Sequence, residues 1–144
     1  MVMALAALLA LPAAGCGSDD TDQFREDYNA AVDKLSNINT SIGSAAGDAA
    51  DQSNSAIAKE FNQIADTAEQ TRSDLSELEP PEDAKEEFDK LLSALQTGVE
   101  NLRSVAEAAR ANNPEEANQA VRKLAETGQE ITEAENALKN AVDG

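Results

Sequence analysis

The chain has 144 residues, with 28 acidic side chains against 11 basic, no histidine and a net charge of −17. So acidic a balance excludes a nucleic-acid binder, because neutralising phosphates needs clustered Lys and Arg. The lack of His removes histidine general bases, Ser-His-Asp triads and histidine metal sites, and a single Cys removes intrachain disulfides and multi-cysteine zinc centres.

Residues 1–15 carry no charge at all. Residues 1–11 are continuously apolar and Pro12 breaks the run. A helix needs ~20 apolar residues to cross a bilayer core, so this stretch is too short to span. Its length suits the apolar region of a secretory signal. The small residues Ala13, Ala14 and Gly15 then lead directly into Cys16. Ala13-Ala14-Gly15-Cys16 resembles the lipobox of bacterial lipoprotein precursors, with Ala13 standing where that family usually carries Leu. The resemblance implies cleavage between Gly15 and Cys16, acylation of the Cys16 sulfur, and a lipid anchor at the extracytoplasmic face of the cell membrane. Residues 16–22 are similar to the polar tether of such proteins. No Lys or Arg precedes the apolar run, although a signal's first segment is positive, so the expected translation start lies upstream of Met1.

Residues 23–144 read as one helical bundle. The first apolar stripe is Phe24, Tyr28, Val32, Leu35, Ile38 and Ile42, predicting a helix over about 20–42. Residues 43–55, small and polar with Gly43 and Gly47, read as the first connection. Ile57, Phe61, Ile64, Ala68, Thr71, Leu75 and Leu78 alternate at 4-3 spacing and predict a helix over about 54–78. Pro80 and Pro81 end it, because the residue before a proline avoids the α region. A third helix over about 81–111 carries Phe88, Leu91, Leu92, Leu95, Val99, Leu102, Val105 and Ala109. Asn113, Pro114 and Glu116 form a start signal of N-cap, first-turn proline and capping box. The fourth helix, over about 114–142, aligns Ala117, Val121, Leu124, Gly128, Ile131, Leu138 and Val142. Short connections make an antiparallel four-helix bundle the expected all-α architecture. Residues 75–142, with the Leu75-x-x-Leu78-x-Pro80-Pro81 junction, also look like small lipid-anchored proteins of high-GC Gram-positive bacteria. That resemblance implies an envelope domain and carries over no active residues.

Few residues point to chemistry. Asp22 with Glu26, Glu82 with Glu86, Asp83 with Glu87 and Glu126 with Glu130 are carboxylates at helical spacing, but a di-iron bundle also needs Glu-x-x-His motifs. The stretch from Asp51 has Ala56 and Asn62 where an EF-hand needs Gly and Glu. Ser18, Ser36 and Ser53 have no adjacent base or nucleophile-elbow motif. No cofactor or metal is expected. Gly98 and Gly128 fall on apolar stripes, either as close helix contacts or as a ligand notch beside Phe61 and Phe88. Tyr28 is a stripe residue or a binding-surface marker. The leading expectation is a non-enzymatic, lipid-anchored envelope protein that meets another protein or a wall component. A second is a binder of a small apolar ligand or cation between helices. An enzyme built on paired carboxylates is third, and it needs a carboxyl inside a stripe, where the sequence reading places none.

Overall fold

Residues recurring at alternating spacings of three and four put one face of each helix toward a shared core. The structure, a computed structural model, describes residues 18–143. The expected signal segment, its cleavage site at Gly15 and Cys16, and Cys16 as lipid site lie outside the described residues. Four helices, α1 (Ser18–Asp48), α2 (Asn54–Ser76), α3 (Lys85–Arg110) and α4 (Pro114–Asp143), make up nearly everything. Single 3-10 turns occupy Ala49–Asp51 and Glu82–Ala84, and there is no strand among the described residues. The chain is all-α.

α1 departs from the expected boundary. It continues through Gly43 and Gly47 to Asp48, where a loop was expected from residue 43. Ala45 supplies the reason, because it is 1% exposed and packs in the same cluster as Ile38, Ala58 and Ala109. The stripe observed on α1 is Phe24, Tyr28, Ala31, Leu35, Ile38, Ile42 and Ala45, with Ala31 buried and the expected Val32 beside it only half-buried. Continuing the helix buries its last stripe residue and uses alanine's high propensity at Ala45 and Ala46. Together these outweigh two glycines at ~1 kcal/mol each.

α4 shows a related shift. Val121 is 43% exposed and Gly128 is exposed, whereas Ala120 and Thr127 are buried. The buried or half-buried positions run Ala117, Ala120, Leu124, Thr127, Ile131, Ala134, Leu138 and Ala141, a regular three-four alternation. The stripe expected from the larger side chains is therefore turned by one residue along part of α4. Alanine and threonine face the core where valine was expected, because closely packed helices accept small side chains on the inner face.

α3 packs against both α2 and α4, while α1 packs chiefly against α2. Accordingly α3 has the longest buried stripe, from Phe88 through Leu91, Leu95, Val99, Leu102 and Val105 to Ala109. The core divides into two clusters. One joins Ile38, Ala45, Phe61, Ile64, Val99, Leu102, Val105 and Ala120, and is padded with alanines. The other joins Phe24, Leu75, Phe88, Leu91, Leu95 and Leu138. The two buried polar residues are satisfied: Thr71 Oγ1 donates to Thr67 O at 3.0 Å, and Thr127 Oγ1 accepts from Asn101 Nδ2 at 3.0 Å.

Local chemistry sets the helix ends. Ser53 Oγ accepts from Ala56 N at the start of α2. α3 closes with Asn112 at φ 53°, while Asn113 N donates to Ala108 O and Asn112 N to Ala109 O. This is a Schellman ending with asparagine in the left-handed position. Asn113 Oδ1 accepts from Glu116 N at 3.3 Å and so caps α4. The expected capping box is only half made, because the Asn113 N–H is used by Ala108 O rather than by the Glu116 carboxylate.

Two sets of variants test this packing by thermal melting. A Cβ at Gly43 or Gly47 meets nothing within 4 Å, and neither glycine has positive φ. Gly43→Ala and Gly47→Ala should each raise stability by about 0.5–1 kcal/mol; a loop at residues 43–48 would show no gain. On α4, fully buried Leu138 should lose ~2–5 kcal/mol on Leu138→Ala. Val121→Gln should stay within ~0.5 kcal/mol. A Val121→Gln loss as large as that of Leu138→Ala would restore the unshifted stripe.

Candidate functional site

The residues singled out from the sequence are mostly kept apart. Phe61 and Phe88 belong to different core clusters. A Cβ on Gly98 would meet Ile131 Cδ1 at 3.5 Å and Thr127 Cγ2 at 3.8 Å, which is ordinary contact. At Gly128 a Cβ would meet nothing within 4 Å. Neither glycine is required by a close helix approach, and they do not form a notch with the two phenylalanines. Asp48 ends α1 and Asp51 sits in the following 3-10 turn, both exposed. Glu86 and Glu87 both bind Lys90 Nζ, at 3.0 and 2.9 Å. Among the described residues no group of three His, Cys, Asp or Glu is placed to hold a metal ion.

The structure does bring a different set together, where the first turns of α1 meet the last turns of α4. Phe24 and Tyr28 stack with ring centroids 5.8 Å apart, and Phe24 meets Phe88 edge-on at 5.5 Å. Arg25 reaches across to α4, where Nη2 donates to Val142 O at 2.7 Å and lies 3.4 Å from Asp143 Oδ1. Its Nη1 lies 3.3 Å from Asp22 Oδ1. A cation at the carboxyl end of α4 complements the helix dipole, and α4 has no basic residue of its own in that turn. Arg25 thus ends α4 from a different helix.

Two polar atoms on this seam are buried without a hydrogen-bond partner, Arg25 Nε and Tyr28 Oη. Burial and the negative charge of Glu135 together push the Tyr28 phenol well above its ordinary value, so it stays a neutral donor. Glu135 is half-buried, and burial raises its carboxyl above the ordinary carboxylate range. It makes no hydrogen bond or ion pair among the described residues. Glu135 lies beside the stripe of α4, one residue after Ala134, and is half-buried there.

Some charges elsewhere are paired at the surface. Arg72 binds both Glu69 oxygens, at 2.8 and 3.2 Å, and holds that carboxyl below its ordinary range. Hydrogen bonds from Lys34 and Gln70 do the same for Asp74, and the Lys34 contact at 2.9 Å links α1 to α2. Tyr28 and Glu135 differ from these in that burial rather than pairing shifts them.

Comparison with protein-family models, curated proteins and solved structures finds no match to this chain. None of the described helices is long and apolar enough to cross a membrane.

The buried hydroxyl has a direct test. Tyr28→Phe keeps the stacked ring and removes an unpartnered polar atom, whose desolvation costs ~1–3 kcal/mol. The variant should melt above the wild type; a loss of stability would mean that the hydroxyl is hydrogen-bonded.

Proposed function

We propose that the chain is a lipid-anchored cell-envelope protein, held at the extracytoplasmic face of the membrane through Cys16. Its helices form an antiparallel four-helix bundle that serves as a non-enzymatic interaction or structural module. One observation carries this reading: an apolar run, the sequence Ala13-Ala14-Gly15-Cys16 and a lone cysteine stand in that order directly before a helical module. The contacts support the antiparallel arrangement. Arg25 near the start of α1 meets Val142 near the end of α4, Asp66 of α2 meets Arg103 of α3, and Asn101 of α3 meets Thr127 of α4. α1 begins at Ser18, two positions after Cys16. The polar tether read over residues 16–22 is therefore helical from Ser18, and an acyl group on Cys16 would be coupled closely to α1. Partner and wall component follow from the same reading only as classes: a protein or polymer met at the acidic, polar outer faces.

Firm anchoring needs more than one acyl chain, because a single chain binds membranes only marginally. Cys16→Ser expressed in a bacterial host should appear in the soluble fraction or as uncut precursor, as read by fractionation and N-terminal sequencing. A variant that remains membrane-bound and is cut at the same place overturns the lipoprotein reading.

A further inference from the structure

The four helices are not held with equal strength, and α1 is set apart from the other three. Polar contacts join those three to one another. Asn54 at the start of α2 donates to Asn112 Oδ1 in the turn between α3 and α4, at 2.7 Å, and Asn101 of α3 donates to Thr127 of α4 at 3.0 Å. The start of α2 is capped by its own Ser53, so it does not depend on α1. α3 lies closely along both α2 and α4, whereas α1 approaches α2 closely over much less of its length.

Several features weaken the hold on α1. Its buried side chains are Phe24, Ala31, Ile38 and Ala45, and two of these are only alanines. Its second half contains Asn37, Asn39, Thr40, Ser41, Gly43 and Gly47, weak helix formers, so little of its order is intrinsic. α1 carries seven acidic residues against Arg25 and Lys34, and the rest of the chain carries 21 against nine. Docking therefore brings two net-negative surfaces together. Both cations of α1 are already committed to docking, Arg25 to Val142 O and Asp143, and Lys34 to Asp74. In the docked state Arg25 Nε and Tyr28 Oη are buried without partners, and water satisfies both donors once α1 leaves.

We propose that α1 is a releasable strap: it undocks as a unit while α2, α3 and α4 stay folded as a three-helix body. Its apolar stripe keeps the docked state the major one. The hinge is the connection at residues 49–53, a single 3-10 turn followed by the extended Gln52. Docked, the start of α1 lies level with the end of α4, as the contact of Arg25 with Val142 shows. Released, the body hangs from residue 48, and a helix of 31 residues spans ~46 Å. α1 then becomes a tether that lets the body move outward from the N-terminus. The use of the tether rests on the anchor proposed at Cys16, but the undocking does not.

Native-state hydrogen exchange of the full chain in mild detergent, followed across a urea series, tests the strap. Cys16→Ser decides the anchor separately, because exchange in α1 needs no acyl group. A lone helix of this composition is marginal in water, so the amides of a released α1 exchange. Amides of residues 28–40 should be at least roughly tenfold less protected than those of residues 95–105 on α3. They should share one urea dependence, shallower than that of α3, because a partial opening exposes less surface. Thr127→Val removes the acceptor for Asn101, and should speed exchange in α3 roughly tenfold while leaving α1 unchanged. Equal protection and slope in α1 and α3 overturn the strap, because the bundle then opens only as a whole. Scattered protection in α1 with no urea dependence overturns it too, since that is fraying and not the release of a unit. A Thr127→Val effect of the same size on α1 as on α3 likewise overturns it.

Discussion

The three-four alternation of apolar positions is the constraint on which the rest of the structure depends. The chain has few large apolar residues and an excess of acids, so a stable core requires nearly every large side chain to point the same way. α3 meets the constraint most fully, with an unbroken buried line from Phe88 to Ala109. That line gives α2 and α4 a common surface. α1 then adds its own stripe, chiefly against α2.

Small residues decide how closely the helices approach. Ala31 and Ala45 on α1, Ala58, Ala65 and Ala68 on α2, and Ala106 and Ala109 on α3 are all buried. All but Ala31 fill one end of the molecule with little apolar mass per residue, and dispersion contacts between close backbones contribute where large side chains are absent. The opposite end uses Phe24, Phe88 and a set of leucines. The two ends are thus built from different materials, and the polar residues that enter the core or its edge are treated differently along the length. Near the middle, Thr127 and Thr71 have their hydrogen bonds made. At the aromatic end, Tyr28 Oη and Arg25 Nε do not.

That contrast extends to the charged groups. Surface ion pairs such as Arg72 with Glu69 are partly or wholly in water and contribute little individually. A half-buried unpaired carboxyl acts in the opposite sense, since its charge is a penalty that a proton relieves. Arg25 concentrates the same seam further by ending α4 from α1, so the two helices are joined by one guanidinium where their apolar contact is small.

By itself the sequence determined the all-α class, the four amphipathic segments, and the stops at Pro80-Pro81 and Asn113-Pro114, because periodicity and backbone restriction are local properties. Most of the stripe of α2 was legible, with Phe61, Ile64, Ala68, Thr71 and Leu75 buried as their spacing predicts, whereas the buried Ala58 and Ala65 were not singled out and Leu78 lies past the helix end at Ser76. Tertiary structure alone decided three things. It extended α1 past Gly43 and Gly47, because the burial of Ala45 is a contact with other helices and leaves no trace in local propensity. It turned the inner face of α4 toward Ala120 and Thr127, because side-chain size points to Val121 while interhelical distance favours the smaller residue. It also brought Arg25 of α1 onto the last carbonyls of α4, because only packing brings together two residues 117 positions apart.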